Sequence, residues 1–201
     1  MALDFRTEIA AYIRRAALPE DKYGHQPRLY ALTRQIGEGM SYDDDVVYAA
    51  AWLHDLGVFV GHRPEDPEKL AKWNHVIYTM REVPAILERT GFPSDKIPAV
   101  LEAIQNHQPG DKPTTVESTI LRDADILEQL GAIGILRGVS KVGRDTRFVT
   151  FTSAVENLRR NLQNLPSKLI LESSRELAKP KIELLASFLG AVDAESKPEL
   201  F

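Results

Sequence analysis

An apolar segment that ends in a histidine and an aspartate places the strongest constraint on this fold. Residues 46–53 read VVYAAAWL, so a helix through them is apolar nearly all round, which is typical of a central helix. Asp43 and the two acidic residues after it offer an N-cap and favourable charge for that helix. His54 and Asp55 fall at its carboxyl end, where the dipole disfavours an anion and unpartnered burial is costly. A cation beside Asp55 would resolve both problems.

The rest of the chain also has helical periodicity, with no convincing series of strands. The predicted helices lie near residues 3–17, 26–40, 43–54, 66–84, 94–107, 115–130, 151–164 and 167–189. Asp66 is expected to cap the fourth helix, and Pro84 to break or kink it. Thr114 and Glu117 have the spacing of a capping box for the sixth. The sequence therefore predicts an all-α protein.

The amino-acid composition argues against some classes of function and excludes cysteine chemistry. The 201 residues are 43% hydrophobic, which is enough for a proper core. The net charge of -4 gives no basic excess, so nucleic acid is not expected as a partner. The chain has no cysteine, which excludes disulfides and thiolate metal ligands. Neither a signal peptide nor a membrane-spanning stretch is apparent, so a cytoplasmic protein without a membrane partner is expected.

Four of the five histidines, with His54 among them, form a series with Asp55 and two later aspartates. Imidazole and carboxylate are the usual ligands of Zn, Fe, Mn and related metals. The candidate ligands are His25, His54, Asp55, His75, His107 and one of Asp123 and Asp125. On a regular helix the last two point about 200° apart, so they cannot both face one metal. Helical phasing gives Asp123 a slightly more apolar flank, and the residues alone leave this choice open.

The ordered series resembles the HD-domain metal-dependent phosphohydrolase superfamily. The segments HQPRLYALTRQI, AAAWLHDLG and LRDADILEQLGAIGILRGVS are similar to the first-ligand helix, the defining His-Asp element and the last-ligand helix of a branch of small bacterial HD hydrolases. The segment LPSKLILESSRELAKPKIELLASFL is similar to the C-terminal helices of that branch. The resemblance covers most of the chain and implies an HD-domain helical bundle with a buried metal site. It implies one HD domain over 1–201, with a metal core at about 20–130 and C-terminal helices at about 150–190.

The family pattern also bears on individual ligands. It favours Asp125 as the ligand and leaves Asp123 as a partner that supports the ligands. Many members of the branch have serines at the positions of Asn74 and His75. With a histidine there, the set of six resembles that of dinuclear HD proteins, which include phosphodiesterases of cyclic dinucleotides and mixed-valent di-iron oxygenases. Val58 stands where some HD nucleotidases have a glutamate, which weakens a nucleoside-5'-monophosphatase reading.

The resemblance implies one or two divalent transition metals per chain, with Asp55 able to bridge a pair. Fe, Mn, Zn, Co and Ni are not distinguished by the sequence. Such a metal would activate water and neutralise phosphate oxygens. The predicted reaction is hydrolysis of a phosphoester in a nucleotide or another small phosphorylated metabolite, with Asp55 in a catalytic role.

Several further residues are candidates for that reaction. His62, in the loop after the His-Asp pair, is the first candidate for the proton donor. Lys72 lies three residues before His75 and is expected to share its helix face, where it could contact phosphate. Arg122 is a candidate for binding substrate. Like Arg122, Arg144 and Arg147 are weaker candidates for binding an anion. The run from Lys141 to Arg147 is a possible mobile flap over the site, for which ordinary surface charge is the favoured interpretation.

Two rival functions use the same site. Two irons would permit O2-dependent oxidation of a small substrate such as an organophosphonate. A degenerate HD module would instead bind a ligand without catalysis, although the intact ligand set argues against it. A homodimer formed through the C-terminal helices is compatible with the sequence, but no diagnostic pattern supports it.

Overall fold

The computed structural model describes residues 4–143, 148–196 and 200, and the described part of the chain is all-α. It contains no β-strand, only an isolated bridge between Val60 and Arg63. The α-helices in these ranges are α1 (Phe5–Ala16), α2 (His25–Ile36), α3 (Asp44–Leu53), α4 (Pro67–Ala71), α5 (His75–Arg89), α6 (Ile97–Gln105), α7 (Val116–Glu128), α8 (Gly131–Val139), α9 (Phe151–Asn164) and α10 (Glu172–Ser196). The all-α prediction is confirmed.

The chain divides into two compact units, Met1–Arg122 and Asp123–Phe201. In the first unit α3 packs against α1, α2 and α6, and α5 packs against α6. In the second unit α8, α9 and α10 pack against one another. Helix α7 begins in the first unit and ends in the second. The sequence-based assignment of one HD domain to residues 1–201 stays a prediction.

Helix α3 forms the centre of the first unit, as its sequence predicts. Every residue from Val46 to Leu53 is buried. The Asp43 carboxylate accepts hydrogen bonds from the backbone N–H groups of Asp45 and Val46, at 3.0 and 3.4 Å, so it caps the helix. The packed helix fixes the position of the His54-Asp55 pair at its end.

The fourth predicted helix is wrong in its extent, because two helices occupy that stretch. Helix α4 ends at Ala71, and α5 begins at His75. The Asn74 side chain caps α5 by accepting hydrogen bonds from the N–H groups of Val76 and Ile77. Helix α5 continues through Pro84 to Arg89, so the proline does not end it. His75 is therefore the first residue of a helix rather than a residue within one.

The capping box predicted for Thr114 and Glu117 does not form. The backbone N–H and the hydroxyl of Thr114 both donate to the Glu102 carboxylate. Thr115 caps α7 instead, since its hydroxyl accepts from the Ser118 N–H at 3.1 Å. Glu117 accepts a hydrogen bond from the Asp43 N–H at 2.8 Å and so connects α7 to the start of α3. A contact between residues this far apart in sequence overrides the local motif.

Among the described residues, no helix combines the length and the apolar character needed to cross a bilayer.

Candidate metal centre

The centre of the candidate site is the His54-Asp55 pair at the carboxyl end of α3. His54 is fully buried, and its Nδ1 lies 3.0 Å from the Ala51 carbonyl oxygen. A carbonyl oxygen only accepts hydrogen bonds, so Nδ1 is the donor and Nε2 of the neutral ring carries the lone pair. This is the arrangement in which a histidine binds a metal through Nε2.

The first residue of α2 joins this pair. His25 is buried, and its Nε2 lies 3.3 Å from His54 Nε2. Both Nε2 atoms also approach the same oxygen of Asp55, with His25 at 3.7 Å and His54 at 3.5 Å from Oδ2. Two imidazole nitrogens and one carboxylate oxygen thus converge on a single point.

The opposite oxygen of Asp55 faces α5. His75 Nε2 lies 3.6 Å from Asp55 Oδ1. Gly57 allows α5 to come this close, because a Cβ at position 57 would lie 2.6 Å from the His75 carbonyl oxygen. The Gly57 N–H also donates to the Thr79 hydroxyl at 3.1 Å, and Trp73 Nε1 donates to the Gly57 carbonyl at 2.8 Å. The backbone after Asp55 is therefore fastened to α5 close to His75.

His107 completes the group in the first unit, two residues after the end of α6. Its Nδ1 lies 2.6 Å from the Ile104 carbonyl oxygen, so Nε2 carries its lone pair as in His54. Its ring centroid lies 5.0 Å from that of His54 and 5.8 Å from that of His75. One ligand atom from each of His54, Asp55 and His107 lies within 4.8 Å of the other two. Within the first unit, the structure thus brings together all five predicted ligands that this unit contains.

The electrostatics of Asp55 follow from this surrounding group. Burial opposes ionisation of its carboxyl, but the positive charge of His54, His25 and His75 in their protonated forms, with a hydrogen bond from His54, holds its pKa well below the usual range. Asp55 is therefore an anion at neutral pH. Four imidazoles around one half-buried carboxylate match the ligand chemistry of Zn, Mn, Fe and related metals, so the residues fit a divalent cation.

The two candidate aspartates of α7 differ in what they contact within the second unit. The Asp123 carboxylate is fully buried and accepts hydrogen bonds from the backbone N–H groups of Ile170 and Leu171, at 3.0 and 2.8 Å. These two residues directly precede α10, so Asp123 holds the approach to that helix. Asp125 accepts a hydrogen bond from the Gln129 side chain at 3.2 Å. The assignment of Asp125 as a ligand stays a prediction.

The proposed proton donor, His62, contacts α5. Its Nδ1 lies 2.9 Å from the Tyr78 hydroxyl, and its ring packs against Phe59 and Tyr78. Burial lowers the pKa of His62, and the negative charge of Glu82 opposes this shift. Tyr78 lies three residues after His75, so the contact places His62 beside the first turns of α5. No local sequence signal singles out Tyr78, and the catalytic role of His62 stays a prediction.

The predicted phosphate contacts have different surroundings. Lys72 follows the last residue of α4 and is exposed, so the expectation that it shares a helix face with His75 is wrong. Arg122 is buried and donates to the backbone carbonyls of Gln108 and Pro109, which fastens the loop after His107. Its role in binding substrate stays a prediction. Arg144 and Arg147 lie outside the described residues.

Comparison with protein families gives one match, the HD domain, over residues 23–130. The matched range includes all six predicted ligands. The comparison with curated proteins gave no match.

Several solved structures have a similar fold. Bacillus subtilis YpgQ is 21% identical, with each chain covered over 100% of its length and a TM-score of 0.76. The structure of YpgQ in complex with ADP is 22% identical, covering 98% of this chain and 96% of that one, with a TM-score of 0.74. An HD-superfamily hydrolase from Bacillus thuringiensis is 19% identical over 97% of both chains, with a TM-score of 0.69. At these identities the likeness establishes the fold.

Proposed function

The chain belongs to the HD-domain family, and from this premise we propose that it is a metal-dependent phosphohydrolase acting on a nucleotide or another small phosphorylated metabolite. Family membership supports a metal-dependent hydrolase in general, and the phosphoester substrate is the proposed part. The observation that carries the proposal is the convergence of His25, His54, His75 and His107 on Asp55. A cytoplasmic location also stays part of the proposal.

The two oxygens of Asp55 face different imidazoles, which supports a site that would hold two cations. Oδ2 faces His25 and His54, whereas Oδ1 faces His75. A carboxylate that presents its oxygens to separate imidazoles has the geometry of a bridging ligand. His25, His54, His75 and Asp55 would hold the metal, which would lower the pKa of bound water and neutralise charge on phosphate oxygens. The chain supplies the Asp55 carboxylate as an anion and several neutral imidazole nitrogens, all at fixed positions.

Orientation of the ligands comes from the backbone. The Ala51 and Ile104 carbonyls hold the rings of His54 and His107 through their Nδ1 atoms. Such contacts to the far nitrogen fix the tautomer and direction of a metal-binding imidazole. The rings therefore need little rearrangement to bind a cation.

The leaving oxygen of a phosphoester needs a proton when its bond to phosphorus breaks. We assign this proton to His62, whose ring is held by the Tyr78 hydroxyl. Water attacks phosphorus, the bond to the leaving oxygen breaks, and His62 protonates that oxygen. The attacking water releases one proton to the solvent, and a proton from the solvent restores His62, so the protons balance.

The substrate class draws support from one relative. YpgQ of Bacillus subtilis, which shares this fold, has been solved in complex with ADP. A nucleoside diphosphate is therefore the first substrate to test, followed by other nucleotides and by phosphodiesters. The exposed Lys72 and the buried Arg122 remain the proposed residues for contact with substrate.

The test is hydrolysis by metal-free protein reconstituted separately with Mn, Fe, Co, Ni and Zn. We expect release of phosphate or pyrophosphate from at least one nucleotide, abolished by a chelator and by His54→Ala. His62→Gln should retain the metal but turn over about 100-fold more slowly. A Lys179→Gln variant on the exposed face of α10 should behave as wild type.

Two other results would replace the proposal. Consumption of O2 by the iron-loaded protein with an organophosphonate, without hydrolysis, would establish the di-iron oxygenase. Metal-loaded protein that binds nucleotide but converts neither substrate would establish a binding module.

A further inference from the structure

An open apolar groove lies in the second unit, between α8 and α10. Its volume is about 500 Å3. Two of its side chains are well exposed, Leu136 at 64% and Leu184 at 45%. Exposed apolar side chains that lie together favour burial against a partner. The lining is apolar except for one serine and consists of Ala132, Ile135 and Leu136 of α8 with Leu184, Ser187 and Phe188 of α10.

The wall that α10 contributes has a heptad spacing. Leu184, Phe188 and Ala191 follow one another at intervals of four and three residues, which places them along one stripe of the helix. The stripe continues to Lys181 at one end and to Glu195 at the other. Each of these charges is seven residues from Phe188. Seven residues make two turns, or about 10.5 Å, so opposite charges lie at equal distances on either side of Phe188.

The two charges at the ends of this stripe are available for ion pairs. The aliphatic part of Lys181 lies against Gly131 at the start of α8, where an added Cβ would be 3.0 Å from the lysine Cβ and Cγ. This contact places Lys181 on the side of α10 that faces α8, as the groove requires. Within residues 4–143, 148–196 and 200, neither Lys181 nor Glu195 has an ion-pair partner.

A second copy of the chain is the occupant that these charges select. When two α10 helices pair antiparallel about a two-fold axis at Phe188, Lys181 of one chain lies opposite Glu195 of the partner subunit, and the reverse holds as well. Two attractive ion pairs then close the two ends of an apolar seam. Parallel pairing would instead put like charges opposite each other. The stripe is therefore complementary to itself in one direction.

We propose that the α8–α10 face mediates a homodimer in which the two α10 helices pack antiparallel with Phe188 at the two-fold axis. Leu136 and Leu184 become buried, and the pairs between Lys181 and Glu195 fix the direction and the register. Stable interfaces bury about 800 Å2 of each partner, so we expect α8 to belong to the interface together with α10. The dimer depends on neither the proposed metal centre nor the proposed hydrolysis.

The test is sedimentation velocity of the full chain over a range of micromolar concentrations. We expect a reversible monomer–dimer equilibrium for the wild type. Lys181→Glu and Glu195→Lys each turn two attractive pairs into two repulsive ones, so each should weaken dimerisation about ten-fold. An equal mixture of these two variants should dimerise like the wild type, because the heterodimer again pairs opposite charges. Lys179→Glu, on another face of α10, is the matched control and should leave the equilibrium unchanged.

A second pair of variants tests the apolar part of the interface. Leu136→Lys places a charge in the groove and should weaken dimerisation by about ten-fold or more, because that charge would be buried without a partner. Val149→Lys is the matched control, since Val149 is 74% exposed and lies outside the groove. A thermal melt of each variant verifies that it is folded.

The results decide between a homodimer and other occupants. A wild type that stays monomeric at every concentration would overturn the proposal, and binding of a fluorescent apolar probe by that monomer, lost in Leu136→Lys, would assign the groove to a small apolar ligand. A dimer that is unchanged by both charge reversals would overturn the antiparallel pairing. Because sedimentation needs neither metal nor substrate, its outcome is independent of whether the protein hydrolyses phosphoesters.

Discussion

His75 Nε2 lies 3.6 Å from Oδ1 of Asp55, the oxygen opposite to the one that faces His25 and His54. This relationship depends on where α5 begins. Because Asn74 caps the helix, His75 occupies its first position and points toward the end of α3. A cation on each side of Asp55 would share the carboxylate, so the position of His75 decides between one metal and two.

Replacing Gly57 by alanine should damage this arrangement. The new Cβ would meet the His75 backbone at 2.6 Å from its carbonyl oxygen, so α5 or the segment after Asp55 must shift. We expect a loss of about 1–3 kcal/mol in the free energy of unfolding and a lower metal content. Chemical denaturation and elemental analysis measure the two effects.

Gly110→Ala is the matched control for this substitution. Its Cβ would have no neighbour within 4 Å. It should leave both the unfolding free energy and the metal content close to wild type. A Gly57→Ala protein that keeps wild-type stability and metal content would show that the close approach of α5 is unimportant.

Replacing each of the two aspartates of α7 by alanine should give different phenotypes. Asp123→Ala removes a buried acceptor from the N–H groups of Ile170 and Leu171, so it should cost about 1–3 kcal/mol of unfolding free energy. Asp125→Ala should chiefly reduce the metal content, as the family pattern predicts. Paired denaturation and elemental analysis of the two variants decide the assignment, and the opposite pattern would make Asp123 the ligand.

The pKa of His62 should be measurable directly. Burial lowers it from an ordinary value near 6.5, so a nuclear magnetic resonance titration should give a midpoint below about 6.5. Glu82→Gln should lower the midpoint further, because the Glu82 charge raises the pKa. Since the folded-state pKa is depressed, this histidine's contribution to stability is full above about pH 6.5. It decreases as the pH falls from there through the folded-state pKa.

The same titration predicts the pH dependence of the reaction. If His62 donates the proton, the turnover rate should fall as the pH rises above its midpoint, because the protonated fraction falls. In His62→Gln this fall in the turnover rate at high pH should be absent, while the metal is retained. A fall that persists in His62→Gln would assign the proton to another group.

Much of the first unit can be predicted from the sequence because local signals agree there. Asp43 is a good N-cap, and an all-round apolar segment follows it, so α3 and the position of His54 were predictable. The histidine series also predicted the cluster, because its order resembles the ligand order of the HD-domain superfamily. These features need no knowledge of distant contacts.

The errors arose where two local signals competed or where a distant residue intervened. Leu70, Trp73, Ile77 and Met80 continue a helical period across the break at Asn74, which concealed the end of α4. Ile77 is 69% exposed, so the period did not mark a core face. Glu117 contacts Asp43 from far along the chain, and no local rule anticipates such a partner.

The most direct test of the account is the metal content of protein purified without chelators or affinity metals, compared among wild type, His75→Ala and His62→Ala. Elemental analysis should find about two metals per chain in the wild type. It should find about one in His75→Ala, which loses the imidazole facing Oδ1, and about two in His62→Ala, whose histidine is assigned no metal. One metal in the wild type, unchanged in His75→Ala, would contradict a dinuclear centre bridged by Asp55.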